Sequence, residues 1–207
     1  RQLGSNVLFL SFKTYARVER LWLFIFINFR HTNEQPSLAE SKLGHEFLYN
    51  KFRTLPMTQR IDYNEVSPDG AKALGAVYSY VLQCGLPSEF IELVFLRVSQ
   101  INNCAFCLDM HTRDLSKKNV PIEKLALVQA WREAGELFDD REQAALAWAE
   151  SVTKVADTGV PDDDFHLAKE IFSEKELVDL TLAISLMNAY NRLAISFRST
   201  PQAAIEQ

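Results

Sequence analysis

A chain of 207 residues, 47% of them hydrophobic, is large enough to bury the core of one or two domains. Its net charge of −5 counts against nucleic acid or an anionic membrane surface as the main partner. Three cysteines, seven glycines and seven prolines are too few for a disulfide-stapled secreted domain or a turn-dense β-fold.

The charge is unevenly spread. Residues 1–56 carry eight Lys/Arg against four Glu and no Asp, and the remainder is strongly acidic. The leading segment is also dense in aromatics, among them Phe9, Phe12, Tyr15, Trp22, Phe24, Phe26 and Phe29. Its apolar run, Leu21 to Phe29, falls far short of the roughly 20 residues a spanning helix needs. No small-residue cleavage site of the signal-peptide type follows it. Met57 is the first methionine, and the text after it reads as a natural beginning. Residues 1–56 are therefore expected to be an extension outside the fold, either upstream translation or disordered chain, with the domain running over 57–207.

From Met57 onward the pattern is helix upon helix. Ser67-Pro-Asp-Gly70 reads as a turn leading into an apolar helix, Ala71 to Cys84, closed by Gly85. Ser88 is the expected N-cap of the next helix, with Glu89 favoured in its first turn. That helix is apolar nearly all round (Phe90, Ile91, Val94, Phe95, Leu96, Val98, Ile101), which predicts a central position. Asn102-Asn103 interrupts it, and Cys104-Ala-Phe-Cys107 opens a helix running to about Lys118. A short helix is predicted over Ile122–Trp131. Another starts at Asp139-Asp140, with Ala145, Trp148, Ala149, Val152, Val155 and Ala156 on one stripe. Ser173-Glu-Lys-Glu176 is a capping box before a long apolar helix, Leu177 to about Phe197. No segment alternates convincingly as a strand, so the expected fold is all-α, a compact bundle of six to eight helices.

The chemistry concentrates in Glu92, Cys104, Cys107 and His111. Cysteines three positions apart can close a local disulfide, and His111 lies one turn beyond Cys107. A thiolate at a helix N-terminus is stabilised by free N–H groups and the dipole. His111 is placed to take the Cys107 proton, directly or through water. Cys104, nearer the helix end, suits the resolving role. Glu92, on a stripe with Leu96, Ser99 and Asn103, can return to the same pocket and exchange protons with His111. Alone, Glu92 also reads as an exposed first-turn carboxylate, and His111 as a surface histidine. Cys84 is expected to pack as a small apolar residue.

Cys, Cys, His and a carboxylate also make a complete zinc ligand set. Against zinc, three ligands on one face of a continuous helix do not surround an ion, and no second CxxC exists. A thioredoxin-type site lacks its βαβ context. Neither a metal nor a cofactor is expected.

The pattern Glu-x11-Cys-x2-Cys-x3-His, with Leu96–Asn102 and Leu180–Arg192 around it, resembles the alkylhydroperoxidase-D-like branch of the carboxymuconolactone decarboxylase family. The similarity spans about Met57 to Pro201. The resemblance implies an all-α multi-helix bundle assembling as a homotrimer or homohexamer, with the CxxC at a helix N-terminus. It implies a peroxidase acting on hydroperoxides through a Cys104–Cys107 cycle, while the sparse cysteines, two of them in one CxxC, fit a reducing, cytoplasmic setting. Cys107 would attack the peroxide, Cys104 resolve, and Glu92 with His111 relay protons. A dihydrolipoyl group or a thioredoxin-like protein would be the dithiol reductant. Phe106 departs from members that carry a histidine between the cysteines. Asn188, Asn191 and Arg192 read as exposed-face contacts with a structural rather than catalytic role. Two alternatives stay open: a redox-sensing helical binding protein, and a lactone decarboxylase, whose chemistry needs no dithiol.

Overall fold

A computed structural model describes residues 58–205; the expected extension, residues 1–56, and Met57 lie outside the described residues. The α-helices in chain order are α1 (Tyr63–Val66), α2 (Pro68–Val81), α3 (Ser88–Ile101), α4 (Ala105–Lys117), α5 (Ile122–Leu127), α6 (Asp140–Thr153), α7 (Val155–Thr158), α8 (Asp162–Ile171) and α9 (Glu174–Phe197). Short 3-10 turns follow α5 and close the chain after α9. The described residues contain no strand, as the sequence predicts.

The central helix is α3. Ile91, Val94, Phe95 and Val98 face a core shared with α2, α6, α8 and α9, while Leu93 and Leu96 face a second cluster with Leu115, Val128, Trp131, Phe138 and Leu146. Burial of such side chains contributes about 1.5–3 kcal/mol each, which holds a helix lacking any polar face in the middle of the bundle. The predicted capping box of Ser173 with Glu176 opens α9, and the helix start expected at Asp139 is closed by a second reciprocal box, Asp139 with Glu142, which opens α6.

Several boundaries differ from expectation, each for a local reason. Helix α2 starts at Pro68, whose fixed φ suits the first helical position, and it ends at Val81. Gly85, at φ 105°, therefore shapes the loop after the helix rather than capping it. Ser88 is the first helical residue instead of the N-cap; Pro87 occupies that place, and the Ser88 hydroxyl accepts from Lys118 Nζ. The helix after Pro121 breaks at Leu127, because the chain leaves α-geometry at Ala130 while Trp131 is buried and donates to Glu150. Helix α6 stops at Thr153, so Val155 and Ala156 fall outside its stripe and are exposed. Cys84 packs half-buried against the main core, as expected.

Candidate functional site

The end of α3 builds the site. Asn102 is its C-cap and Asn103 adopts the left-handed conformation at φ 56°, which asparagine tolerates better than most residues. Asn103 N donates to Gln100 O and Cys104 N to Ser99 O, the two bonds of a Schellman ending. One residue later Cys104 is already the N-cap of α4, where its sulfur accepts from Cys107 N at 3.4 Å. The turn is thus as short as a helix exit and a helix entry permit. It also takes Asn103 off the Glu92 stripe, where the sequence spacing placed it, and leaves it exposed.

Cys104 and Cys107 form a disulfide with 5.3 Å between their Cα atoms, buried against Ala194 of α9 with Phe106 packed alongside. His111, two turns into α4, is 1% exposed and Glu92, in the second turn of α3, is 5% exposed. The surface readings of these two residues therefore do not hold. Glu92 Oε2 lies 2.7 Å from His111 Nδ1. His111 Nε2 is buried and has no hydrogen-bond partner among the described residues, and the ring packs against Phe95 with 5.4 Å between centroids.

A cavity of about 320 Å³ opens onto Cys107 and His111 and is lined also by Tyr63, Tyr78, Phe106, Met110, Met187, Tyr190 and Ala194; Glu92 lies outside its wall. Cys104 is not part of its wall. A larger cavity, about 460 Å³ around Trp148 and Phe165, contains none of the four site residues. Proximity to the thiols, not size, singles out the smaller one. Burial pushes the Tyr78 hydroxyl above the ordinary phenol range, and the negative charge of Glu92 adds to the effect. Burial raises Tyr190 in the same way, with a smaller contribution from Tyr63. Both are neutral phenols at ordinary pH. Among the described residues, no group of three or more His, Cys, Asp or Glu side chains is arranged to hold a metal ion.

Behind the disulfide lies a polar network. Asn102 Nδ2 donates to Asn188 Oδ1 at 3.0 Å and to Asn191 Oδ1 at 2.9 Å, and Asn191 Nδ2 donates to Ser99 Oγ at 3.1 Å. Asn188 and Asn191 are buried, which corrects the expectation of an exposed face: on α9 they meet the C-cap of α3 and accept from Asn102 there, so neither carboxamide is buried without a partner. Arg192 caps the arrangement by donating to Asn188 O.

Sequence reasoning brought the four site residues together but missed the cavity wall. Tyr78 and Tyr190 were not singled out in the sequence, because nothing local marks an aromatic on an apolar helix as lining a cavity.

Three comparisons bear on this site. The sequence model of the carboxymuconolactone decarboxylase family matches residues 68–151, which include all four site residues. An uncharacterized protein of Bacillus subtilis, YdfG, is 36% identical over 140 residues, covering 68% of this chain and 95% of that protein. A crystal structure of an Agrobacterium tumefaciens protein of unknown function, provisionally ascribed to AhpD-type antioxidant defence, is 41% identical with a TM-score of 0.67 and covers 70% of this chain and 98% of that one. An uncharacterized peroxidase-related protein from Ralstonia eutropha, described as an alkylhydroperoxidase AhpD core, shares the fold at 20% identity, with a TM-score of 0.60 and coverage of 81% and 90%.

Proposed function

We propose that this chain, which belongs to the carboxymuconolactone decarboxylase family in its alkylhydroperoxidase-D-like branch, is a dithiol-dependent peroxidase. The observation that carries the reading is the asymmetry of the two cysteines. Cys107 shares a cavity wall with His111, whereas Cys104 is set behind it within bonding distance.

In the reduced protein, the Cys107 thiol gives its proton toward His111 Nε2, and Glu92 on Nδ1 steadies the imidazolium that results. The thiolate attacks one oxygen of the hydroperoxide. The O–O bond breaks, an S–O bond forms, and the alcohol leaves with the proton returned from His111. Cys104 then attacks the sulfenic sulfur, forming the S–S bond and releasing the second oxygen as water. A dithiol, such as a dihydrolipoyl group or a thioredoxin-like protein, supplies two electrons and two protons and restores both thiols. The same reading makes the protein a homotrimer or homohexamer, as the family resemblance implies, in a cytoplasmic setting that its cysteine usage favours.

The assignment of roles is tested by trapping. Reduced Cys104→Ser, treated with one equivalent of hydroperoxide and dimedone, should carry the adduct on Cys107. An adduct found mainly on Cys104 in Cys107→Ser, with none on Cys107 in the first variant, would reverse the roles. No adduct in either would remove the peroxidase reading.

A further inference from the structure

We infer that Asn102, Ser99 and Asn191 are positioning residues that set the reduction potential of the Cys104–Cys107 pair; the inference rests on that pair cycling between dithiol and disulfide. The observations are geometric. Ser99 is used twice: its carbonyl accepts from Cys104 N, and its hydroxyl accepts from Asn191 Nδ2. Asn102, two positions before Cys104, places both carboxamide hydrogens on α9, one on Asn188 and one on Asn191. The backbone that presents Cys104 is therefore clamped from both sides to one turn of α9. Ser99 and Asn191 are both fully buried, so these bonds are made away from water, where a lost partner is costly.

A local clamp of this kind acts on the redox equilibrium. Reduction breaks the S–S bond and takes up two electrons and two protons. Re-closure requires Cys104 to stay within reach of Cys107, and the 5.3 Å between their Cα atoms is fixed by the clamped turn. When the clamp holds in the reduced protein, the effective concentration of one thiol at the other is high and the disulfide is favoured. Releasing it favours the dithiol and raises the potential.

Asn188 provides an internal control. It bonds to the clamp on one side, while its Nδ2 donates to Thr153 Oγ1 on α6, away from the cysteine turn. Thr153→Val removes a bond of the same network without touching the turn.

The experiment is a redox titration of the full chain in dithiothreitol buffers, with thiols counted by alkylation and mass, beside thermal melting of each variant. Asn102→Ala is the principal variant because its side chain is only half-buried; Asn191→Leu, of the same branched shape without the polar atoms, is the second. Both are expected to shift the disulfide equilibrium toward the dithiol by about tenfold, roughly 30 mV. Thr153→Val is expected to melt lower with its equilibrium unchanged. Melting losses in all three with no shift in equilibrium, or an equal shift in Thr153→Val, would overturn the inference. The titration uses no peroxide. A wild-type protein that titrates reversibly but consumes no peroxide would sink the peroxidase reading alone, whereas one that never forms the disulfide would sink both.

Discussion

Glu92 and His111, nineteen positions apart, meet Oε2 to Nδ1 at 2.7 Å inside the core. A carboxylate in its charged form only accepts hydrogen bonds, so with Glu92 charged the hydrogen sits on Nδ1 and Nε2 is left as the basic nitrogen. That nitrogen belongs to the residue that lines the cavity with Cys107. Under the proposed mechanism, the tautomer that takes the thiol proton is thus selected by a residue on a different helix.

Glu92→Gln keeps the size of the side chain but removes the negative charge that favours the imidazolium, and its amide can turn either oxygen or NH2 to Nδ1. Peroxide turnover should fall by about 100-fold with the fold intact. The check is a steady-state rate alongside a far-ultraviolet spectrum; a rate within a factor of three of wild type would separate Glu92 from the proton path.

Ala194 packs against both cysteines and forms part of the cavity wall. Ala194→Leu puts three more carbons there, at a cost of about 1–3 kcal/mol if the wall does not yield. Turnover of a bulky hydroperoxide such as cumene hydroperoxide should drop more than turnover of hydrogen peroxide, by about fivefold in the ratio of kcat/KM values. Equal losses for the two substrates would place peroxide entry elsewhere.

Ile184 is fully buried where α9 packs into the main core. Ile184→Ala should lower stability by about 2–5 kcal/mol. Urea unfolding followed by fluorescence would show the midpoint fall with the slope unchanged.

Acid sensitivity has a locatable source in the α9 capping box. Arg141, the Ser173 N–H and the Ser173 hydroxyl together hold Glu176 down at about 2. A lowered carboxyl contributes stability above its unfolded value of 4.5, and loses it as pH falls toward about 2. The group is on the surface, so the contribution is small and weakened by salt. Glu176→Gln should therefore melt lower than wild type at pH 7, with the difference closing between about pH 4.5 and pH 2. A difference that stays constant across that range would assign the effect to helix propensity.

Much of the fold was legible because its cues are local. The Ser173–Glu176 capping box, the helix start at Asp139 and the all-round apolar character of α3 need no tertiary information, and the spacing of Glu92, Cys104, Cys107 and His111 brings all four to one place. What escaped depends on distant partners. Trp131 breaks its helix because Glu150, on α6, accepts its indole hydrogen. Asn188 and Asn191 are buried because Asn102 lies opposite, on another helix, and a polar residue on a helix otherwise reads as a surface residue. The cavity wall was invisible for the same reason: Tyr63, Tyr78, Met110 and Tyr190 come from four separate places in the chain.

The central claim is best tested by counting turnovers. The reduced full chain, given excess hydroperoxide and dihydrolipoamide, is expected to consume many equivalents of peroxide per protein, and Cys107→Ser none. Consumption that stops at one equivalent in wild type, or continues unchanged in Cys107→Ser, would contradict a catalytic Cys104–Cys107 cycle.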